Sequence, residues 1–250
     1  RIGCTLPEAI AAIKPGERVL FDDGKIAAQV VECGRGEVRL QIKNARVGGS
    51  RLRGEKGINL PDTKLGIPAI TEKDYQDLKF VLAHADIVGA SFIHSAADVR
   101  SLQQAIRESG REIGLILKIE TQAGFQNLPA ILLQALEQNP AGVMIARGDL
   151  AVEVGFERLA EIQEEILWVC EAAHVPVIWA TQVLEGLAQT GQPSRAEITD
   201  AAMSVRAECV MLNKGPHIHE AVRLLADILE KMEKHQYKKR NLFRSLSISY

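Results

Sequence analysis

Aromatic residues are scarce, only 4% of the 250 positions, so any core must be packed from aliphatic side chains between helices and strands. An excess of one charge is also lacking. The formal net charge is -2 and the basic residues are dispersed along most of the chain. That argues against a nucleic-acid partner and against an anionic membrane surface. Lys238-Lys239-Arg240 is the local exception and reads as the solvated end of a C-terminal helix. Cys4, Cys33, Cys170 and Cys209 share no metal-ligand spacing, which points to reduced thiols in a cytoplasmic protein, each a small core residue. No apolar run is long enough to cross a bilayer and no secretory pattern is present. No G-x-G-x-x-G follows a strand, which weakens a dinucleotide-binding reading. The sequence starts at Arg1 rather than Met, so a segment of something longer is expected.

What is present divides in two. From Pro15 to Lys56, short β-type runs alternate with turns: Arg18 to Phe21, then Asp23-Gly24, Ile26 to Val31, Gly34-Arg35-Gly36, and Val38 to Ile42. Asp-Gly and Gly-x-Gly between such runs are hairpin signals. A small all-β unit over residues 1–57 is expected. From Asn59 onward, apolar runs alternate with helical periodicity. The runs are Asp86 to Phe92, Gly114 to Ile119, Ala141 to Ala146, Val175 to Ala180 and Cys209 to Leu212. The helical segments are Ala97 to Ser109, Leu128 to Gln138, Glu157 to Ala173, Arg195 to Val205 and Ile218 to Glu233. Continuous apolar strands separated by helices imply a parallel sheet covered by helices. Residues 58–250 therefore read as α/β with about five βα units, either an open doubly wound sheet or part of an eight-fold barrel.

Polar residues cluster at the carboxyl ends of these strands. Lys118 and Glu120 are two apart in Leu117-Lys118-Ile119-Glu120-Thr121 and so share one face of a strand. Buried there, they need each other, a ligand or a metal; a satisfied ion pair is the plainer reading. In Ala146-Arg147-Gly148-Asp149-Leu150, Gly148 permits close backbone approach and Asp149 could bind a hard cation, or merely cap a helix. Thr181, in Ala180-Thr181-Gln182, and Ser91, in Ala90-Ser91-Phe92, stand at the same level. Each is ambiguous alone. All four lie where parallel α/β barrels build active sites.

Together these segments resemble pyruvate kinase over nearly the whole chain. The resemblance runs through Asp22-Asp23-Gly24, Lys56-Gly57-Ile58-Asn59-Leu60-Pro61, Thr71-Glu72-Lys73-Asp74 and the four motifs above. Ser194-Arg195-Ala196-Glu197 and Val210-Met211-Leu212 complete it. It implies a partial (β/α)8 TIM-type barrel, its last five strands, preceded by the end of a lid domain. It further implies phosphoryl transfer between phosphoenolpyruvate and ADP, giving pyruvate and ATP. By the same analogy Glu120 and Asp149 hold Mg2+ (or Mn2+), and Lys118 stabilises the enolate oxygen and the transferred phosphoryl. The N–H groups of Gly148 and Asp149 bind the substrate carboxylate, with Arg147, Ser91 and Lys56 as further substrate contacts. Thr181 binds the carboxylate or serves the protonation of the methyl group.

The chain departs from that family in several places. The R-x-N-F-S-H-G and D-T-K-G-P motifs of the first barrel strands are absent, and with them the expected ligands of a K+ ion. The loop Asn213-Lys214-Gly215-Pro216-His217-Ile218-His219 replaces S-G-E-T-A-K-G on the nucleotide side. His217 and His219 have no third metal partner in view. Five strands of eight leave two raw edges, so the missing strands are expected from a longer polypeptide or another subunit, and a homo-oligomer is possible. A metal-dependent lyase or aldolase of pyruvate, or a non-catalytic ligand-binding domain, are the alternatives.

Overall fold

The computed structural model describes residues 1–236 apart from 35, 67 and 139, together with residue 248. The basic triplet 238–240 lies outside the described residues.

Helix α1 (Pro7–Ala12) leads into a four-stranded antiparallel sheet of order β3-β2-β1-β4, with β1 Arg18–Phe21, β2 Ile26–Gly34, β3 Glu37–Asn44 and β4 Ile58–Asn59. Alternation builds it: Val19, Phe21, Ile26, Ala28 and Val30 are buried together against Ile13. The β1–β2 turn places Asp22, Asp23 and Gly24 at φ 51, 56 and 79°, a left-handed run that Asp and Gly tolerate best. Strand β4 pairs Ile58 with Phe21, so the small sheet takes in two residues past position 57.

The remainder alternates strand and helix, with a helix at Glu72–His84 added to those that the periodicity indicates. Its elements are α2 (Glu72–His84), β5 (Ile87–Ala90), α3 (Ala96–Glu108), β6 (Gly114–Ile119), α4 (Gln122–Gln126), α5 (Leu128–Ala135) and β7 (Ala141–Ala146). Then follow α6 (Arg147–Val154), α7 (Leu159–Ala172), β8 (Val177–Ala180), α8 (Glu185–Thr190), α9 (Arg195–Met203), β9 (Cys209–Val210) and α10 (Ile218–Gln236). The five strands form one parallel sheet in sequence order. Helices α2, α3 and α9 each open on a capping box, Thr71 with Asp74, Ser95 with Asp98 and Ser194 with Glu197, which satisfies backbone donors that a helix start leaves free.

The two faces of the sheet differ. Leu115, Leu117 and Ile119 are fully buried. On the opposite face Lys118, Met144, Ile178 and Cys209 follow one another in register across four strands, and none is fully buried. Ile87, on the same face of β5, is 60% exposed. In a closed barrel this inward face would be filled. Here it is one wall of a partial barrel. Cys209 is thereby exposed, against the expectation of a core residue, and Cys4 and Cys33 are half-buried. Cys170 is buried as expected, and burial pushes its thiol up to about 12. The short helices α4, α6 and α8, five to eight residues each, are too brief to show a helical period in sequence. They sit at strand ends, where the chemistry lies.

Candidate active site

Ser91 follows β5, Glu120 follows β6, Asp149 lies in the first turn of α6 after β7, and Thr181 follows β8. Strand alternation turns Lys118 and Glu120 to the same face, as anticipated. Lys118 Nζ lies 2.8 Å from Glu120 Oε1 and donates to Ser91 Oγ at 2.8 Å. The Glu120 side chain is only 3% exposed whereas that of Lys118 is 26% exposed, so the ammonium opens toward solvent from a buried carboxylate. The Phe92 N–H donates to Glu120 Oε2 at 2.6 Å, and Phe92 has φ 53°. Charge-assisted bonds of this kind fix the carboxylate. The plain ion-pair reading is thus met in part: the two residues pair, with the carboxylate buried and the ammonium partly exposed.

The turn after β8 is strained. Thr181, Gln182 and Leu184 have φ of 66, 55 and 48°, conformations costing about 1–3 kcal/mol each for such residues. Arg147 braces the start of this turn. Its Nε donates to the Ala180 carbonyl at 2.8 Å, Nη2 donates to the Thr181 carbonyl, and Nη1 pairs with Asp200. The guanidinium also lies over the Trp179 ring, 4.8 Å from its centroid. Arg147 therefore points into the protein, clamping the turn from beneath. The result positions Thr181 Oγ1 to accept from the Gly148 N–H at 2.8 Å, beside Asp149. A Cβ at Gly148 would stand 3.8 Å from Thr181 Oγ1, an ordinary contact, so packing within the protein does not demand glycine there.

Asn59 of β4 donates to Asp149 Oδ1 at 3.2 Å, tying the small sheet to the site. Gly24 brings the β1–β2 turn against Val152 and Phe156. Lys56 stays with the small sheet, its Nζ 2.9 Å from Asp22 Oδ1, rather than joining the Lys118 cluster. Glu153, one helical turn after Asp149, was not singled out from sequence. Burial pushes its carboxyl up, partly countered by the Gln122 N–H and reinforced by the Asp149 charge. The four-residue spacing on one helix face was the available signal. A cleft of about 1050 Å³ is lined by Asn59, Ser91, Phe92, Asp149 and Glu153 among others.

The family model for the pyruvate kinase barrel domain matches residues 1–217. The chain belongs to the pyruvate kinase family. It is 38% identical over 231 residues to pyruvate kinase 1 of Trypanosoma brucei brucei, covering 89% of this chain and 44% of that protein. It is 37% identical over 242 residues to pyruvate kinase of Dictyostelium discoideum, with 93% and 46% covered. To pyruvate kinase 2 of Candida glabrata it is 36% identical over 222 residues, with 86% and 42% covered. The chain spans about half the length of the curated relatives it matches.

Within this pyruvate kinase barrel segment, no group of three His, Cys, Asp or Glu residues among the described residues is placed to hold a metal. The pair Glu120 and Asp149, on adjacent strand ends, supplies two anionic oxygen donors. That set suits a hard divalent cation that takes its remaining ligands from water and substrate. His217 instead packs against Gly191, whose Cβ would meet its ring at 3.0 Å. Among the described residues no helix is long and apolar enough to cross a membrane.

Proposed function

We propose that this segment contributes the enolpyruvate and divalent-cation half of a pyruvate-kinase-type phosphotransferase site, acting on phosphoenolpyruvate and ADP. The observation that carries the reading is the Lys118–Glu120–Ser91 cluster, set beside Asp149 and Thr181 at adjacent strand ends. Glu120 and Asp149 would hold magnesium or manganese. Such an ion, when bound, supplies charge neutralisation at the enolate and phosphoryl oxygens.

The chain's own groups do the rest. Lys118 presents a positive charge where the enolate oxygen develops negative charge, an electrostatic contribution that exists before the reaction begins. Its bonds to Glu120 and Ser91 hold Nζ in place, so little reorganisation is required. The Asp149 N–H at the start of α6 would meet the substrate carboxylate, whereas the Gly148 N–H expected to share that role is taken by Thr181 Oγ1. Thr181 also offers a hydroxyl near the carbon to be protonated. Lys56 would reach phosphate only by leaving Asp22, that is, by movement of the small sheet. The remaining barrel strands, the nucleotide contacts and any K+ ligands would come from a longer polypeptide or another subunit.

Solvent exchange of pyruvate methyl protons, measured with magnesium and with the barrel complete, tests the enolate chemistry. Lys118→Ala is expected to reduce exchange by about 10²–10³-fold, and exchange equal to the parent would sink the assignment. ATP formation from phosphoenolpyruvate and ADP separates a kinase from a pyruvate lyase, the reading that the altered loop Asn213 to His219 favours. Absence of both magnesium binding and exchange would leave a binding domain.

A further inference from the structure

Asp149 is held differently from Glu120, the other carboxylate assigned to the cation. Both oxygens of Glu120 are engaged, Oε1 by the Lys118 ammonium and Oε2 by the Phe92 N–H. Asp149 has no ion pair among the described residues. The side-chain donor that reaches it there is the amide of Asn59, 3.2 Å from Oδ1. An ionised carboxylate only accepts, so the near atom of that amide is its NH2 nitrogen. The bond is part-buried, where water competes with it less. A neutral donor orients the carboxylate and leaves its negative charge for a cation. A Lys or Arg in its place would cancel that charge instead.

The local sequence aims Asn59 this way. Ile58 and Leu60 both pack against the core of the small sheet, so the residue between them faces the other side. Asn59 pairs with Leu20 of β1, and the turn after β1 rests against Val152 of α6 through Gly24. Asn59 is thus carried by the ladder of one sheet, and Asp149 by a strand end of the other.

We propose that Asn59 is a positioning residue for the divalent cation, its amide fixing the Asp149 carboxylate through Oδ1 from the small sheet. The proposal rests on the reading of Asp149 as a cation ligand. Hydrogen-bond partners of ligating carboxylates contribute about 10–100-fold to metal affinity. Any displacement of the small sheet that draws Asn59 away therefore lowers cation affinity.

The test is a Mn2+ titration of the protein with its barrel complete, free Mn2+ being read by electron paramagnetic resonance. Asn59→Leu, similar in size but without the donor, is expected to weaken Mn2+ about 10–100-fold. Arg18→Met is the control. It removes the 2.7 Å pair with Asp62 that ties β1 to the segment after β4, and it touches neither Asn59 nor Asp149. Its Mn2+ affinity should equal the parent's. Equal weakening by Arg18→Met and Asn59→Leu would show only the seating of the sheet at work and overturn the proposal. Asp149→Ala separates the positioning role from the reading beneath it. If it weakens Mn2+ while Asn59→Leu does not, the positioning role falls and the cation site stands. If the parent binds no Mn2+, or Asp149→Ala binds it equally, the cation reading falls and takes the positioning role with it. Should Asn59→Leu fail to fold, Asn59→Ala takes its place with the same expectation.

Discussion

Among single residues, Glu153 exposes a tension inside the site. Burial disfavours its charged form, the Gln122 N–H helps to hold that form, and the Asp149 charge opposes it again, with the net effect upward. A carboxyl whose folded pKa is raised contributes stability below its unfolded pKa, and that contribution is lost as pH rises through the folded value. Glu153→Gln removes the charge that costs stability at neutral pH. The variant is therefore expected to melt above the parent at pH 7.5, and the two should converge below about pH 4, where the unfolded carboxyl is itself protonated. Melting curves at both pH values check this; a variant less stable than the parent at pH 7.5 would contradict it. Lys118 and Glu120 were readable in the sequence because a strand alternates with a fixed period of two, so their spacing alone assigns a common face. Arg147 was expected from the sequence to contact substrate, but the structure turns it inward onto Ala180, Thr181 and Asp200. Its partner Asp200 is 53 positions away, and no local pattern announces that a guanidinium will turn beneath a strained threonine.

Elements carry these residues to their places, and the link between α8 and α9 shows how. Glu197 closes the capping box of α9 with Ser194 and also accepts from the Gly186 N–H of α8. Burial pushes its carboxyl up, but the N–H groups of Ser194 and Gly186 overcome this and hold it below the usual range. Ser194→Ala removes one cap acceptor and is expected to cost about 1 kcal/mol, a fall of about 2–4 °C in melting temperature for a chain of this size. Glu197→Ala strands two backbone donors in different helices and should cost more. Because the folded pKa is lowered, that contribution is present above about pH 4.3 and fades as pH falls through the folded value. The gap between Glu197→Ala and parent should therefore narrow in acid, which thermal melts at pH 7 and pH 3.5 measure. The strands and the helices α3, α5, α7, α9 and α10 were legible because period and capping agree with tertiary contact. Helix α2, 13 residues long, was not among the helices named from the sequence. Helices α4, α6 and α8 were not legible, since each is fixed mainly by where the preceding strand ends.

At the scale of the molecule, the inward face of the parallel sheet governs behaviour. Lys118, Met144, Ile178 and Cys209 form a row across four strands with no opposing strands among the described residues, and Ile87 stands 60% exposed near one edge. The outer strands β5 and β9 end the sheet order. Their free backbone groups are templates for further pairing, and an apolar wall open to water favours whatever covers it. Five strand-helix units counted along the chain made a parallel sheet readable but fitted an open doubly wound sheet as well. The resemblance to pyruvate kinase favoured the partial barrel, and the open face follows from five strands of eight. Sedimentation velocity on this chain alone is expected to show concentration-dependent association, with strong binding of a hydrophobic dye. Ile87→Lys places a charge on that face and should reduce both association and dye binding, while leaving the small sheet's circular dichroism unchanged. Addition of the complementary barrel strands should suppress association more fully, because they satisfy the edge and fill the interior at once. A dilute, cooperative monomer without dye binding would show that this segment is closed by contacts of its own, and the need for further strands would fall with it.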